Sequence, residues 1–278
     1  MSSLSSTSRS VEAPAGLDPS VAVLPLAPFG ALLRAARPLS VTTLAPAMLE
    51  ALAREHKLVL LRGFAPIERD DFLAYCRTIP GGGLLEWDFG PVMEMHERPD
   101  AKNYLFSREA VPYHWDGAFH RVPSYLMFCC VEAPVQGAGG ETLFCDTTRV
   151  WDFASAAERA TFEKVQLTYA TAKLAHYGGT ITNPLVAKHP HTGQTVLRFA
   201  EPVETALNPV TLSISGVPVA QGEQVLATLT RAVYDPAHCY SHAWQPGDIL
   251  MADNNALIHG RRAFERDCPR HLRRIQVL

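Results

Sequence analysis

Residues 20–278 predict an α+β, mainly β fold, a jelly-roll or β-sandwich core decorated by helices. Three observations carry this expectation. From Trp87 onward the apolar residues fall in short runs of strand type, separated by loops rich in Gly, Pro and Asn. Helical spacing is confined to four segments, which suits a few helices flanking many short strands. No internal repeat or boundary divides the chain. We therefore expect residues 20–278 to form a single domain, preceded by a Ser-, Ala- and Pro-rich mobile tail over residues 1–19.

Taken in order, Leu44, Met48, Leu49 and Leu52 recur at helical spacing and predict a helix over about 43–57. The apolar run Leu58–Leu61, ended by Gly63, predicts a buried strand. Pro66 and the acidic Glu68–Asp71 open a second helix over about 69–78, followed by a turn or flexible loop at Pro80–Gly83. Strands are then expected at Tyr104–Phe106, Ser124–Val131, Glu141–Cys145, Gln166–Thr171, Thr195–Phe199, Ile249–Ala252 and His271–Val277. Helices are expected near 150–164 and near 221–234, where Val225, Leu229 and Val233 share a face. Composition alone marks Pro80–Met95 and Tyr177–Asn183 as lid candidates.

The chain has 278 residues, of which 47% are hydrophobic and 19% charged. Chains of this size bury roughly three quarters of their unfolded surface, so a large core needs no disulfide staples. A net charge of −3 gives no electrostatic reason to expect a nucleic-acid partner or an anionic membrane. The longest apolar runs are far too short to span a bilayer. Cys76, Cys129, Cys130, Cys145, Cys239 and Cys268 include no Cys-x-x-Cys pair, and the N-terminus lacks the apolar stretch of a secretory signal. Reduced thiols in a cytoplasmic protein are the reading that fits. A homodimer is one arrangement the sequence allows.

The most informative stretch is Val111-Pro-Tyr-His114-Trp-Asp116. His-x-Asp on a strand places an imidazole and a carboxylate on the same face, because side chains alternate. Both can then reach one ion, and a second histidine would complete the two-histidine, one-carboxylate set that leaves positions open for O2 and an organic co-substrate. Alone, His-x-Asp is common by chance. His259 ends an apolar run after an Asp253-Asn254 turn and is a candidate third ligand; the alternative is a core histidine bonded to a carbonyl. Arg270 lies eleven residues after His259, and Arg274 follows four later. A guanidinium grips a carboxylate by two parallel hydrogen bonds, which lysine cannot do. The competing reading is a solvated basic face, which Glu265 and Asp267 dilute.

Together these residues resemble the TauD/TfdA taurine dioxygenase family. The motifs Leu60-Leu-Arg-Gly-Phe64, His114-x-Asp116, Gly139-Gly-Glu-Thr142, His189-Pro-His-Thr-Gly193, Trp244-x-Pro-Gly-Asp248, Asp253-Asn254 and His259-x10-Arg270 stand in the family's order, across about Val59–Val277. The resemblance implies a double-stranded β-helix, the distorted jelly roll. It implies Fe(II) held by His114, Asp116 and His259, with 2-oxoglutarate and O2 as co-substrates. Thr142 and Arg270 then match the residues that contact the 2-oxoglutarate carboxylates, and Arg274 matches a second arginine used for an acidic group of the primary substrate. The chain ends at Leu278, so any later family segment is expected to be missing.

A closer resemblance is to the PvcB-like branch of that family. It rests on Val111–Phe119, Ala252–Phe264, Pro269–Ile275 and Val233-Tyr-Asp-Pro236 followed by His238-x-Tyr240-x-His242-x-Trp244. That branch implies a small-molecule substrate, an isonitrile derivative of tyrosine or tryptophan made by a partner isonitrile synthase, in which a Cα–Cβ double bond is introduced, in some members with loss of the carboxylate. For such a substrate Arg274 is the expected carboxylate anchor. Tyr104, Phe106, Tyr113 and Phe119 are pocket candidates that could equally be core packing. By alternation Trp115 should pack away from the ligand pair. A surface or capping role is expected for His120, and structural roles for His176, His189, His191, His238, His242 and His271. Two alternatives stay open: a 2-oxoglutarate-dependent hydroxylase of a free or carrier-bound amino acid or other small carboxylate, and a jelly-roll binding protein whose metal site has lost catalysis.

Overall fold

The computed structural model describes residues 13–101, 103–174, 177–266 and 268–278. Of the predicted tail, residues 1–12 lie outside the described residues, as do His176 and Asp267. Leu17 packs against the core, and Asp18 bonds Ser20 and pairs with Arg37.

Strands β1 (Val21–Pro25) and β2 (Ala31–Ala35) form an antiparallel hairpin, and helix α1 (Pro46–His56) follows. Pro46 starts α1 at a position where its missing N–H costs nothing. The helix buries Leu49, Leu52 and Ala53 and packs on β3 (Leu58–Arg62). Each fully buried leucine contributes roughly 1.5–3 kcal/mol. Lys57 ends the helix in a left-handed conformation, and its ammonium reaches the buried Asp146 carboxylate at 2.7 Å. Helix α2 (Arg69–Arg77) and the short β4 (Met93–Met95) lead to β5 (Val111–His114), β6 (Tyr125–Glu132) and β7 (Thr142–Asp146). Next come α3 (Thr147–Phe153), α4 (Ala156–Phe162), β8 (Gln166–Leu174), β9 (Tyr177–Pro184), β10 (Val186–Lys188), β11 (Thr195–Leu197) and β12 (Thr211–Ser215). Helix α5 (Val219–Val233) precedes β13 (Cys239–His242), β14 (Ile249–Asp253), β15 (Leu257–Arg261) and β16 (His271–Val277).

Two sheets position the site. The larger runs β1-β2-β3-β14-β6-β16-β4 and the smaller β13-β7-β15-β5. Leu126, Phe128 and Cys130 of β6 share one apolar cluster with Phe144 of β7 and Leu257 of β15, so the sheets pack face to face. Residues 58–61 of β3 and 249–252 of β14 are buried throughout, as expected of central strands covered on both faces. A second cluster joins Val111 and Tyr113 to Tyr169 of β8 and to Val225, Leu229 and Val233 of α5. Among the described residues no helix is long and apolar enough to cross a membrane.

The chain is mixed and mostly β, with few helices, as its residue patterns predict. Two local expectations fail for identifiable reasons. Tyr104–Phe106 is a 3-10 turn rather than a strand: the Asn103 side chain accepts the Leu105 N–H and its carbonyl accepts the Phe106 N–H. The single helix expected near 150–164 is two, because Ser155 and Glu158 form a reciprocal capping box that starts α4 afresh. The strand pairs formed by β1, β2 and β10–β12 include several not expected from the sequence.

Candidate metal centre

His114 closes β5, and His259 lies directly opposite it on β15, with ring centroids 4.3 Å apart. The two strands approach closely because residue 260 is glycine; a Cβ there would sit 2.7 Å from the Val111 carbonyl oxygen. Asp116 lies just past the end of β5, in the turn that follows, rather than on the strand itself. Its Oδ1 is nevertheless 3.6 Å from His114 Nε2 and 3.8 Å from His259 Nε2. One donor atom from each of the three residues lies within 4.8 Å of the others.

The protonation states favour metal binding. His114 Nδ1 lies 2.9 Å from the Pro112 carbonyl, to which it donates, leaving the Nε2 lone pair toward Asp116. Burial pushes the His259 pKa well down, reinforced by His114, so its imidazole is neutral. Burial alone would raise the Asp116 pKa, but the adjoining Arg274 guanidinium works against it and the carboxylate stays ionised. Two imidazoles and a carboxylate fit a divalent first-row metal with open positions.

Asp116 is held from several sides. The Asn254 Oδ1 accepts its N–H at 2.9 Å, while Asn254 Nδ2 donates to its carbonyl at 3.1 Å and to that of Pro123 at 2.9 Å. Arg274 Nη1 stands 2.9 Å from Oδ2 and 3.2 Å from Oδ1. Gln276 Nε2 donates to Oδ2 at 2.6 Å. The turn that carries Asn254 is fixed in turn. Asp253 Oδ1 accepts the N–H groups of Asn255 and Ala256, and its Oδ2 meets the buried His189 Nε2 at 2.8 Å. His189 Nδ1 accepts two main-chain N–H groups, so the proton sits on Nε2 and the residue is structural.

Two cavities meet at this cluster. A small recess is walled by His114, His259, Thr142, Arg270 and Arg274 together with the apolar Met95, Leu105, Val111 and Phe128. Arg270 is 5% exposed and donates to the Gly140 carbonyl and to Thr142 Oγ1, at 2.9 and 3.2 Å. Thr142 Oγ1 also accepts the Trp244 indole N–H at 2.9 Å. Among the described residues no carboxylate pairs with Arg270; burial and the charge of Arg261 push its pKa down to about 9. A buried cation in that position is stabilised by an anionic ligand. Gly139 makes the approach of this loop possible: it has φ +85°, and a Cβ would lie 2.0 Å from the Ala263 carbonyl oxygen.

The other cavity, of about 300 Å³, is reached from His114, Asp116, Arg274 and Gln276. Its walls are aromatic, with Trp87, Phe106, Phe119, Tyr169 and Tyr177 prominent. Phe119 and Phe106 thus stand where a substrate could touch them. Tyr113 does not: its side chain is on the opposite face of β5 from His114, 1% exposed, with its ring against Tyr234 and its hydroxyl 3.4 Å from Cys239 Sγ. The alternation that puts Trp115 away from the ligand pair applies equally to Tyr113. Trp115 packs edge-on to Tyr169 and also lines the cavity. The Tyr104 side chain lies outside what the structure describes. Arg274 is split between roles, pairing with Asp116 while lining both cavities; its buried Nε has no hydrogen-bond partner among the described residues. His120 is exposed at the cavity beside Trp87. Trp87, Tyr169, Tyr177 and Gln276 were not among the sequence candidates, although Trp87 and Tyr177 fall in the two segments marked as lids.

The family described as "Taurine catabolism dioxygenase TauD, TfdA family" matches residues 22–276. The chain is 44% identical over 258 residues to 3-((Z)-2-isocyanoethenyl)-1H-indole synthase of Fischerella ambigua, covering 91% of this chain and 94% of the relative. It is 37% identical over 256 residues to tyrosine isonitrile desaturase of Pseudomonas aeruginosa, covering 90% and 87%. Among solved structures, PvcB of Pseudomonas aeruginosa superimposes with a TM-score of 0.80 at 33% identity, over 96% of this chain and 95% of that one. A second PvcB structure, with a TM-score of 0.79, is described as an Fe, alpha-ketoglutarate dependent oxygenase from an isonitrile synthetic pathway.

Proposed function

This chain belongs to the TauD/TfdA dioxygenase family, and from that premise we propose that it desaturates an isonitrile derived from tyrosine or tryptophan. It is an oxygenase dependent on iron(II) and 2-oxoglutarate, of the isonitrile-biosynthesis branch. The observation that carries the substrate reading is the placement of the three metal donors between two unlike cavities, one small and holding a buried guanidinium and one aromatic. In our reading the two sheets are the halves of a double-stranded β-helix, and the protein works in the cytoplasm. The six free cysteines suit that compartment.

His114 Nε2, Asp116 Oδ1 and His259 Nε2 would hold iron(II), which when bound supplies the oxidation of a C–H bond by O2 at the expense of 2-oxoglutarate. Thr142 and Arg270 would hold the far carboxylate of 2-oxoglutarate in the small recess. Arg274, with its unpartnered Nε, would take the substrate carboxylate, and Trp87, Phe119 and Tyr177 would seat the ring. That placement leaves the benzylic Cβ–H facing the metal donors, and the aromatic walls keep water away. Overall, the substrate loses hydrogen from Cβ together with either the Cα hydrogen or its carboxylate as CO2. 2-Oxoglutarate and O2 become succinate, CO2 and water.

The test incubates the tyrosine- and tryptophan-derived isonitriles with protein, iron(II), ascorbate and 2-oxoglutarate, and follows products by mass spectrometry. We expect an alkene lacking two hydrogens, or lacking formic acid, with matching succinate. Gain of an oxygen atom would instead mark a hydroxylase. Turnover of a free amino acid with neither isonitrile consumed would overturn the proposal.

A further inference from the structure

Gln276 occupies a position between the metal donors and the aromatic cavity. It lies on β16, is 3% exposed, and shares its strand face with Arg274 two residues earlier. Its Nε2 donates to Asp116 Oδ2 at 2.6 Å, and its Oε1 accepts the Trp87 indole N–H at 2.8 Å. The orientation of the amide is fixed by its partners. An indole nitrogen can only donate and a carboxylate can only accept, so the oxygen must face Trp87 and the nitrogen Asp116.

The two carboxylate oxygens of Asp116 are therefore not equivalent. Oδ1 is the oxygen 3.6 and 3.8 Å from the two imidazole nitrogens. Oδ2 is held by Gln276, while Arg274 Nη1 reaches both oxygens, at 2.9 Å from Oδ2 and 3.2 Å from Oδ1. Trp87 itself sits on a segment fastened to β16, since the Leu85 N–H donates to the Gln276 carbonyl at 2.9 Å and Leu84 bridges to Val277. The same indole lines the aromatic cavity.

We propose that Gln276 is a positioning residue: its hydrogen bond to Oδ2 orients Asp116 so that Oδ1 faces the two imidazoles that would share the metal, and through Trp87 it links that carboxylate to the wall against which the substrate ring lies. Hydrogen-bond partners of metal ligands commonly alter metal affinity by roughly 10–100-fold. A carboxylate freed at Oδ2 loses a hydrogen bond that turns Oδ1 toward the two imidazoles. The inference rests on the metal assignment above.

The test measures Mn(II) binding to the full-length protein by loss of the free-ion magnetic resonance signal, with the spectrum of the bound ion recorded alongside. Gln276→Leu keeps the side-chain volume and removes both hydrogen bonds. We expect its Mn(II) Kd to rise on the order of tenfold, with a changed bound-ion spectrum. The 2-oxoglutarate Kd at saturating Mn(II) should stay as in the parent, since Arg270 and Thr142 are untouched. Trp87→Phe keeps an aromatic side chain but removes the indole N–H together with the five-membered ring; it should shift the Kd in the same direction by a smaller factor, and it decides the matter if the leucine variant fails to fold. A lowered metal-free melting temperature with parent-like Kd and spectrum would make Gln276 a structural residue only and overturn the proposal. A parent-like Kd and spectrum for Trp87→Phe would overturn the link to the cavity wall. Failure of the parent to bind Mn(II) would instead overturn the metal assignment itself.

Discussion

Asn254 holds the main chain of Asp116 through both its N–H and its carbonyl, in a place 1% exposed. Asn254→Ala leaves those groups without partners, and a buried unpaired group costs about 1–3 kcal/mol. We expect a loss of about 3 kcal/mol in urea unfolding, and a loss below about 0.5 kcal/mol would mean that the turn is fixed elsewhere. Arg270 bonds only Gly140 and Thr142 among the described residues. Truncating a buried charged partner costs 2–5 kcal/mol in binding, so Arg270→Ala should weaken 2-oxoglutarate on the order of 100-fold. Metal affinity should change little, and equal loss of both would identify Arg270 as structural. Residues of this kind were legible where they stand in motifs, as with His114-x-Asp116 and Gly139-Gly-Glu-Thr142. Gln276 was not, because its partners lie 160 and 189 positions away and leave no local pattern. Tyr113 takes the core-packing role of its two open readings, on the face of β5 away from His114, as strand alternation requires.

Among the elements, β16 contributes most to the site: Arg274 and Gln276 project from one face, with Arg270 just before its start. The loop between β13 and β14 carries Trp244 and ends at Asp248, which is 1% exposed. Arg62 at the end of β3 pairs with Asp248 through two nitrogens, at 2.8 and 2.6 Å, and the Gln245 N–H donates to the same carboxylate. This explains why an arginine follows the apolar strand at 58–61 and why Trp244-x-Pro-Gly-Asp248 occurs as a unit. Removing one partner of a buried pair costs about 3–5 kcal/mol. Since Arg62 is a quarter exposed, Arg62→Ala should fall at the low end, about 3 kcal/mol by chemical denaturation; a change under about 1 kcal/mol would mean that solvent or His242 replaces the guanidinium. Strands such as β6 and β14 were legible from unbroken apolar runs. The break between α3 and α4 was signalled by Ser155 and Glu158, and the turn at 104–106 by Asn103, local chemistry that apolar spacing does not register.

For the whole molecule, the same packing that builds two facing sheets buries ionisable groups and gives the metal-free protein a defined pH response. Burial lowers the pKa of His242, against the pull of Asp248, and burial with His114 lowers that of His259 further. Both are neutral in folded and unfolded chains above about pH 6.5, so they add no pH dependence there. Below that value the unfolded chain binds protons that the fold refuses, and stability falls. Asp248 acts lower: burial raises its pKa, but bonds from Arg62 and His242 outweigh burial and leave it lowered. Its contribution is present above about pH 3.9 and is lost as pH drops through its folded value. Urea midpoints of the metal-free protein should therefore decline steadily from pH 6.5 to pH 5, and equal midpoints across that range would contradict these assignments. Fold class followed from run length and loop composition, but the sheet order did not. No local pattern says that β3 pairs with β14, or that β5 and β15 bring His114 and His259 into register. The most direct test of the central claim is anomalous diffraction from crystals grown with Mn(II) and 2-oxoglutarate. The account predicts one peak within bonding distance of His114 Nε2, Asp116 Oδ1 and His259 Nε2, with the 2-oxoglutarate carboxylate on Arg270. A peak elsewhere, or a metal bound without one of these three residues, would contradict it.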